Sequence, residues 1–533
     1  MESLGCHVYG ACLPHMDHSD QNTMIAGVMK RIGAKLPQPD RHSDLRAQRR
    51  FAKVMSEFRR FVSKWLKRNL PPLPADTDYD FESWLRDTNY PEWRKEELRL
   101  ANSEIVDKYD KKYYKVKCFM KDETYPTYKH ARGIFARSDY AKCLLGPFFK
   151  RIEERLYSLP QFIKHIPVKD RPVYISNMLN VPGAKYIATD YTAYESHFTQ
   201  LVMQNCEFVL YRHMTKLCPD QKYFKWAMDN VLAGYNTCTF KRFKLGILAT
   251  RMSGEMCTSL GNGFSNLMLM LFACHRIGSK CTGVVEGDDG LFVCSPRAPT
   301  AKEFSDIGFT IKIEKHDSLS TASFCGIVFD EIDKVNVTDP MEVLVGFGWS
   351  KTPYVGAKPT RKLELLRSKS LSMLYQYPGC PIIQSLALYG LRVTKHIDMR
   401  RFLEKERSLN WWDRNRLIAA MKAWDEDKLA LCREVPMRTR LLVEKRYGIS
   451  VQDQIKIEKY LDSLTKLQEL KHISIYKYVK FEWGHYFSHY CSRFLGNYPI
   501  LNVPRYNGEL KKYRDKIGLS RRLQNSGRSK YIL

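Results

Sequence analysis

Apolar residues recur at helical spacing between Ser43 and Leu70, where Phe, Val, Trp and Leu alternate with Arg and Lys. That period predicts a basic amphipathic helix, closed by Pro71, Pro72 and Pro74. A second helix is predicted from Leu260 to Ile277, and its apolar centre, Leu267-Met-Leu-Met-Leu-Phe-Ala-Cys274, reads as buried. Shorter apolar runs read as strands: Ile187-Ala-Thr-Asp190, the two arms of Val284-Val-Glu-Gly-Asp-Asp-Gly-Leu-Phe-Val293, Gly308–Lys315 and Ser323–Phe329. Residues 145–182 look helical and then irregular, with turns near Pro167, Pro172 and Pro182. Beyond Asp330, Pro340, Pro353, Pro359, Pro378 and Pro381 break up a segment that becomes mostly helical by Met399. Residues 1–45 are polar and weakly patterned, with a loop at Pro37 and Pro39.

The strand pattern places acids where chemistry needs them. Asp190 closes one apolar run, and Asp288-Asp289 sit between two others, bracketed by Gly287 and Gly290 as in a tight hairpin turn. Carboxylates gathered at strand ends suit Mg²⁺, a hard ion that takes one or two carboxylates and leaves room for substrate phosphates. Two such ions about 3.5–4 Å apart serve phosphoryl transfer. A Gly-Asp-Asp tripeptide alone is only suggestive.

Charge adds a partner. The chain has 533 residues, with 86 Lys+Arg against 58 Asp+Glu, a net charge of +28. Such an excess draws a polyphosphate backbone by counterion release. Its hydrophobic content of 44% is that of a folded protein, which excludes an intrinsically disordered chain. Fifteen Cys lie scattered without CxxC pairs or zinc-type Cys/His spacing, which predicts reduced thiols in a cytosolic setting. The first thirty residues lack an apolar core, so no signal peptide is expected. The longest apolar stretch is far short of the ~20 residues that span a bilayer, so membrane attachment is expected through a partner. From Leu510 the tail carries eight Lys/Arg against one Asp, a solvated terminus or an RNA contact.

Two further segments carry candidate ligands. Between Lys111 and Lys150 lie ten Lys/Arg and three acids, interleaved with Tyr and Phe. Arg132 and Arg137 flank a short strand-like run there, and guanidinium matches phosphate oxygens bidentately; a solvated basic hairpin is the plainer reading. In Arg251-Met-Ser-Gly-Glu-Met-Cys-Thr-Ser-Leu-Gly-Asn262, Gly254 lets the backbone approach a ligand, while Thr258 and Asn262 share one helical face and can bind a single ribose. Ser253 is equally placed to cap the following helix.

The order of these elements is more informative than any one of them. A basic segment, Asp190-x4-Glu195, Ser253-Gly-x3-Thr258-x3-Asn262, Gly287-Asp-Asp289, a Lys-bearing strand and Phe324-Cys-Gly326 together resemble the motifs of viral RNA-dependent RNA polymerases. The Arg251–Asn262 string is particularly similar to plus-strand viruses of the tombusvirus-like and flavivirus-like groups. Thr23–Arg31 and Leu36-Pro-Gln-Pro39 also resemble the start of the tombusvirus-like polymerase region. The motif-level resemblance covers roughly residues 115–330.

The resemblance implies an α+β right hand with an antiparallel palm sheet and mostly helical fingers and thumb. It implies an N-terminal extension (1–45), fingers (46–182, with a basic NTP-entry segment 111–150), palm (183–205), a fingers insertion (206–250), palm (251–345), thumb (346–509) and a basic tail (510–533). Asp190 and Asp288 would ligate two Mg²⁺ ions, replaceable by Mn²⁺, with Asp289 as a secondary ligand. Lys121, Lys129, Arg132 and Arg137 would neutralise the triphosphate. Glu195, Ser253, Thr258 and Asn262 would read the ribose and seat the template, with Arg251 and Gly254 against RNA. Lys315, or failing that Lys312, would be the general acid that protonates pyrophosphate. Implied partners are single-stranded RNA template, product duplex, NTPs and a viral membrane-anchored replication protein, in the host cytoplasm at membrane-associated replication complexes.

Two positions depart from the family pattern: Glu195 stands where Asp is usual, and Glu255 where tombusvirus-like members often have Asp. A reverse transcriptase shares paired aspartates and uses an aromatic gate, and Tyr194 leaves that rival open; the Ser-Gly-x3-Thr-x3-Asn loop argues for RNA synthesis. A non-enzymatic basic RNA-binding protein would explain the charge but not the ordered acids. A two-metal nuclease would degrade RNA rather than extend it.

Overall fold

The computed structural model describes residues 1–491 apart from 41, 182, 408 and 410, so the expected turn at Pro182 and the basic tail lie outside the described residues. Asp20 caps the first helix, α1 (Gln21–Arg31), its carboxylate accepting from the Thr23 N–H. The basic amphipathic repeat folds as α2 (Leu45–Asn69) and buries Phe51, Met55, Phe58, Val62 and Leu66. Each such side chain contributes roughly 1.5–3 kcal/mol. α3 (Asp139–Leu156) is capped by Ser138. α4 (Thr258–Arg276) is buried on nearly every side between Leu260 and Cys274, as its unbroken apolar centre demands.

The strands are β1 (Val116–Met120), β2 (Gly133–Arg137), β3 (Tyr186–Tyr191), β4 (Tyr235–Thr239), β5 (Lys244–Leu248), β6 (Lys280–Glu286), β7 (Asp289–Ser295), β8 (Ile311–His316) and the short pair β9 (Val328–Phe329) and β10 (Asn336–Val337). One sheet runs β2-β1-β4-β5 and the other β6-β7-β3-β8. The second is antiparallel at every described pairing. Its side chains alternate between two cores. Ile187 and Phe292 pack among α2, α3, α4 and neighbouring helices, whereas Ala188, Leu291 and Val293 meet Ile163, Ile175, Leu179 and Phe324 on the opposite face. The mixed helix-and-sheet architecture expected from the sequence is therefore present.

Several local expectations need correction. Ser323–Phe329 is not one strand: Cys325 and Gly326 have φ of 54° and 73°, which turns the chain and leaves only Val328–Phe329 extended. Pro172, Pro340 and Pro359 begin helices rather than interrupt them, because a first-turn residue has no intrahelical N–H bond to lose. The weakly patterned N-terminus is also well packed. Leu4, Cys6, Val8, Ala11 and Leu13 join the core of the C-terminal helices, and Tyr9 and Leu470 bond through their backbones (Tyr9 N to Leu470 O, 3.1 Å). Met24 and Val28 of α1 then pack on the first sheet.

Candidate active site

The hairpin β6–β7 brings the acids to one end of the second sheet. Glu286 pairs with Asp289, leaving Gly287-Asp288 as a two-residue turn with Gly287 at φ 61°, a conformation glycine adopts without steric cost. Gly290 does different work from that expected. It lies in β7 opposite Thr189, where an added Cβ would sit 2.4 Å from the Phe292 ring and 2.7 Å from Thr189 Oγ1. The missing side chain lets β7 close on β3, and that pairing carries the Gly-Asp-Asp turn to the end of β3 that bears Asp190.

The three acids feel one another. Burial, then the charge of Asp288, raises the Asp190 carboxyl above its usual range. Burial, then Asp288 and Asp190, pushes Asp289 up to about 7. They are not among the described groups whose donor atoms all lie within 4.8 Å of one another. An oxygen-only donor set whose members repel each other fits a hard divalent cation, which would relieve the repulsion.

Lys121, Lys312 and Arg31 lie within electrostatic reach of the acids. Lys121 is held below its usual range by burial first and then by Arg132, and it lies within electrostatic reach of Asp288. Arg132 is half-exposed but already forked onto Glu123 (2.6 and 2.8 Å). Lys129 lies over the Tyr125 ring at 4.6 Å. The register sets Lys312 directly across from Asp190, while Lys315 pairs with Ile187. Because alternate residues face opposite sides of a strand, Lys315 belongs to the face away from Asp190. Lys312, which also contacts Glu314, is the lysine on the acidic face.

Arg31 at the end of α1 lies in the Thr23–Arg31 segment that resembles the family but was not expected at the site. Its Nε lies 2.5 Å from Glu195 Oε1, so the acid expected to read ribose is held by the N-terminal helix. Ala193, at φ 48°, turns the chain after β3 and aims Glu195 there.

The small-residue loop is more internal than its sequence suggests. Ser253 does not cap α4, which begins at Thr258 with Cys257 at the cap position; its carbonyl accepts from Phe135 N (2.9 Å) instead. Thr258 Oγ1 donates to Met252 O (3.1 Å) and accepts from Gly254 N (3.3 Å). Gly254 is exposed at φ 141°, and a Cβ there would sit 3.0 Å from Phe135 O. Thr258 and Asn262 do share a face, but Asn262 Oδ1 accepts from Arg251 Nε (3.2 Å).

Arg251 and Arg137 are not at an RNA or triphosphate surface. Arg251 is fully buried, paired with Glu207 and stacked 4.7 Å from the centre of Phe198. Gly261 makes room for that pair, since a Cβ would fall 2.2 Å from Glu207 Oε2. Arg137 is likewise buried: Nε donates to Glu255 (2.5 Å), and the other nitrogens to Tyr114 O, Asn236 Oδ1 and Val231 O. Both arginines are tied into the loop and its following helix, Arg137 through Glu255 and Arg251 through Asn262. Glu255, a departure in the sequence pattern, is thereby a buried counter-ion.

Two more residues escaped sequence reasoning. Asn266 is completely buried on α4 and donates to Gly287 O (3.2 Å) and Asp289 O (2.9 Å), pinning both sides of the acidic turn. Its signal was present: it lies one helical turn beyond Asn262. Lys164 contacts Ser259, and burial lowers its ammonium to about 8.

A family model described as viral RNA dependent RNA polymerase matches residues 187–467, just over half of the chain. The RNA-directed RNA polymerase of Striped jack nervous necrosis virus is 25% identical over 235 residues, covering 40% of this chain and 22% of that protein. That of Panicum mosaic virus (strain United States/Kansas 109S) is 26% identical over 249 residues, covering 45% and 24%. The matched stretches thus span about a quarter of the length of these relatives.

Proposed function

Because this chain belongs to the viral RNA-dependent RNA polymerase family, we propose that it joins ribonucleoside triphosphates on an RNA template, releasing pyrophosphate. The observation that carries this reading is the convergence of Asp190, Asp288 and Asp289 at one end of an antiparallel sheet, where burial and the neighbouring acids raise the Asp190 and Asp289 carboxyls. Two Mg²⁺ ions held by Asp190 and Asp288, with Asp289 secondary and Mn²⁺ a substitute, would activate the attacking 3′-hydroxyl and neutralise the leaving pyrophosphate. Lys121, within electrostatic reach of Asp288, would bind the triphosphate, and Lys312, across from Asp190, would donate a proton to pyrophosphate. Arg132 would exchange Glu123 for phosphate. Glu195, oriented by Arg31, would lie beside the ribose. The second sheet serves as the palm, the first sheet with α1 as part of the fingers, and the helices beyond Asp339 as the thumb. Net charge of +28 supports RNA as the partner. No helix of the described residues is long and apolar enough to cross a membrane. A viral membrane-anchored protein would place the enzyme at cytoplasmic replication complexes.

The test is template-directed incorporation of labelled NTP with Mg²⁺ or Mn²⁺, wild type beside Asp288→Ala. Template-dependent product from wild type alone is expected. Equal labelling by both proteins, or preference for dNTPs over rNTPs, would overturn the reading.

A further inference from the structure

The hairpin that carries Asp288 and Asp289 has a second cluster at its other end. Cys281 of β6 and Cys294 of β7 are directly opposed in the ladder, and Cys274, in the last turn of α4, reaches the same spot. Cys294 Sγ lies 3.6 Å from Cys281 Sγ and 3.7 Å from Cys274 Sγ, and all three sulfurs fall within 4.8 Å of one another. The spacing Cys-x6-Cys-x12-Cys does not resemble a zinc motif in sequence, so the fold alone assembles the group.

We propose that Cys274, Cys281 and Cys294 form a binding site for a thiophilic divalent cation of the zinc class, separate from the acidic site. Four thiolates around tetrahedral zinc, at about 2.3 Å from the metal, stand about 3.8 Å from each other, close to the separations seen here. All fifteen cysteines are free thiols, so no disulfide competes for these sulfurs. The donor set is soft, which selects zinc over the Mg²⁺ suited to the carboxylates. Met270 Sδ, 3.9 Å from Cys274 Sγ, extends the soft lining. Cys281 and Cys294 are half-buried, while Cys274 anchors the group to the buried helix. A cation there ties the end of α4 to both arms of the hairpin. The other compact group among the described residues, His15, His18 and Asp122, is less open to an ion: Asp122 accepts from His15 Nε2 (2.5 Å) and Thr352 N (2.8 Å).

The experiment titrates reduced, full-length protein with Co²⁺ and follows the near-ultraviolet thiolate-to-cobalt charge-transfer band. One Co²⁺ per chain, displaced by Zn²⁺, is expected. The band should be lost in Cys281→Ser and in Cys294→Ser, and kept in Cys432→Ser and Asp288→Ala. Absence of the band in wild type, or its persistence in both serine variants, would overturn the proposal. Peptide mass spectrometry of alkylated protein gives an independent readout: Zn²⁺ should protect Cys281 and Cys294. Equal alkylation of both with and without Zn²⁺ would overturn the site even if polymerase activity is confirmed.

Discussion

Asn266 offers the sharpest test of how the helix under the sheet governs the acids above it. Its amide donates to Gly287 O and Asp289 O, and the side chain is inaccessible to solvent. Asn266→Ala removes both bonds and leaves two carbonyls facing a cavity. Each lost bond is worth about 1 kcal/mol, and a carbonyl left unsatisfied adds up to about 1–3 kcal/mol, so a destabilisation of roughly 2–4 kcal/mol is expected. The catalytic effect should exceed what stability alone dictates, because the two bonds fix the positions on either side of Asp288. A displacement of about 1 Å in a positioned group can cost about 10²-fold in rate. The assay is single-turnover extension of a preformed primer–template across a Mg²⁺ titration, at a temperature where circular dichroism shows the variant fully folded. A rate loss of about 10²-fold with a raised Mg²⁺ requirement is expected. Wild-type rates and an unchanged Mg²⁺ dependence in folded Asn266→Ala would refute the idea that this side chain positions the turn. Asn266→Asp should be worse than Ala, since a carboxylate would set its charge against the same two carbonyl oxygens.

Other consequences follow from the same geometry. Asp289 is raised to about 7 from an ordinary 3.8, so the folded, cation-free protein binds a proton that the unfolded chain has released. Stability should therefore fall as pH rises from about 4 to 7, and thermal melts of Asp289→Asn should lose that slope, as should wild type with Mg²⁺. Arg137→Ala should cost about 3–5 kcal/mol by leaving Glu255 buried and unpaired, with little change in KM for NTP at temperatures where it stays folded; a KM rise without destabilisation would restore the triphosphate role. Glu195→Asp should retain nucleotide incorporation, whereas Arg31→Gln and Glu195→Gln should shift rNTP/dNTP discrimination alike and non-additively in the double mutant. Lys312→Ala should slow extension more than Lys315→Ala, since only Lys312 shares a face with Asp190.

The acids were legible because two local signals coincide: apolar runs of strand length, and a glycine-flanked turn between two of them. The helices α2 and α4 were legible for a similar reason, since periodicity over 19 or 25 residues leaves little ambiguity. What the sequence could not distinguish was an arginine that faces a ligand from one that faces a buried glutamate. Arg137 and Arg251 sit in segments rich in polar residues, yet their partners Glu255 and Glu207 lie 118 and 44 positions away. A long-range ion pair leaves no periodic trace, and the glycine that makes room for one, Gly261, looks like part of the small-residue motif. The same limit hid Arg31 and the three-cysteine group, whose members meet only after helix and hairpin pack.

These misread arginines sharpen the view of the site itself. Buried pairs are costly to form and costlier to break, so they hold a loop in one arrangement more than they add net stability. Here two of them, Arg137–Glu255 and Arg251–Glu207, lie at the Ser253–Cys257 loop, and Thr258 bonds back to Met252 and Gly254. Within the loop Glu255 and Cys257 are buried and Gly254 is exposed. The cations close to the acids are of a different kind. Lys121 lies within electrostatic reach of Asp288, Lys312 pairs across from Asp190 and contacts Glu314, and Arg31 holds Glu195. The separation between arginines that build the loop and cations that face the acids is the division of labour expected where positioning and charge neutralisation carry the reaction.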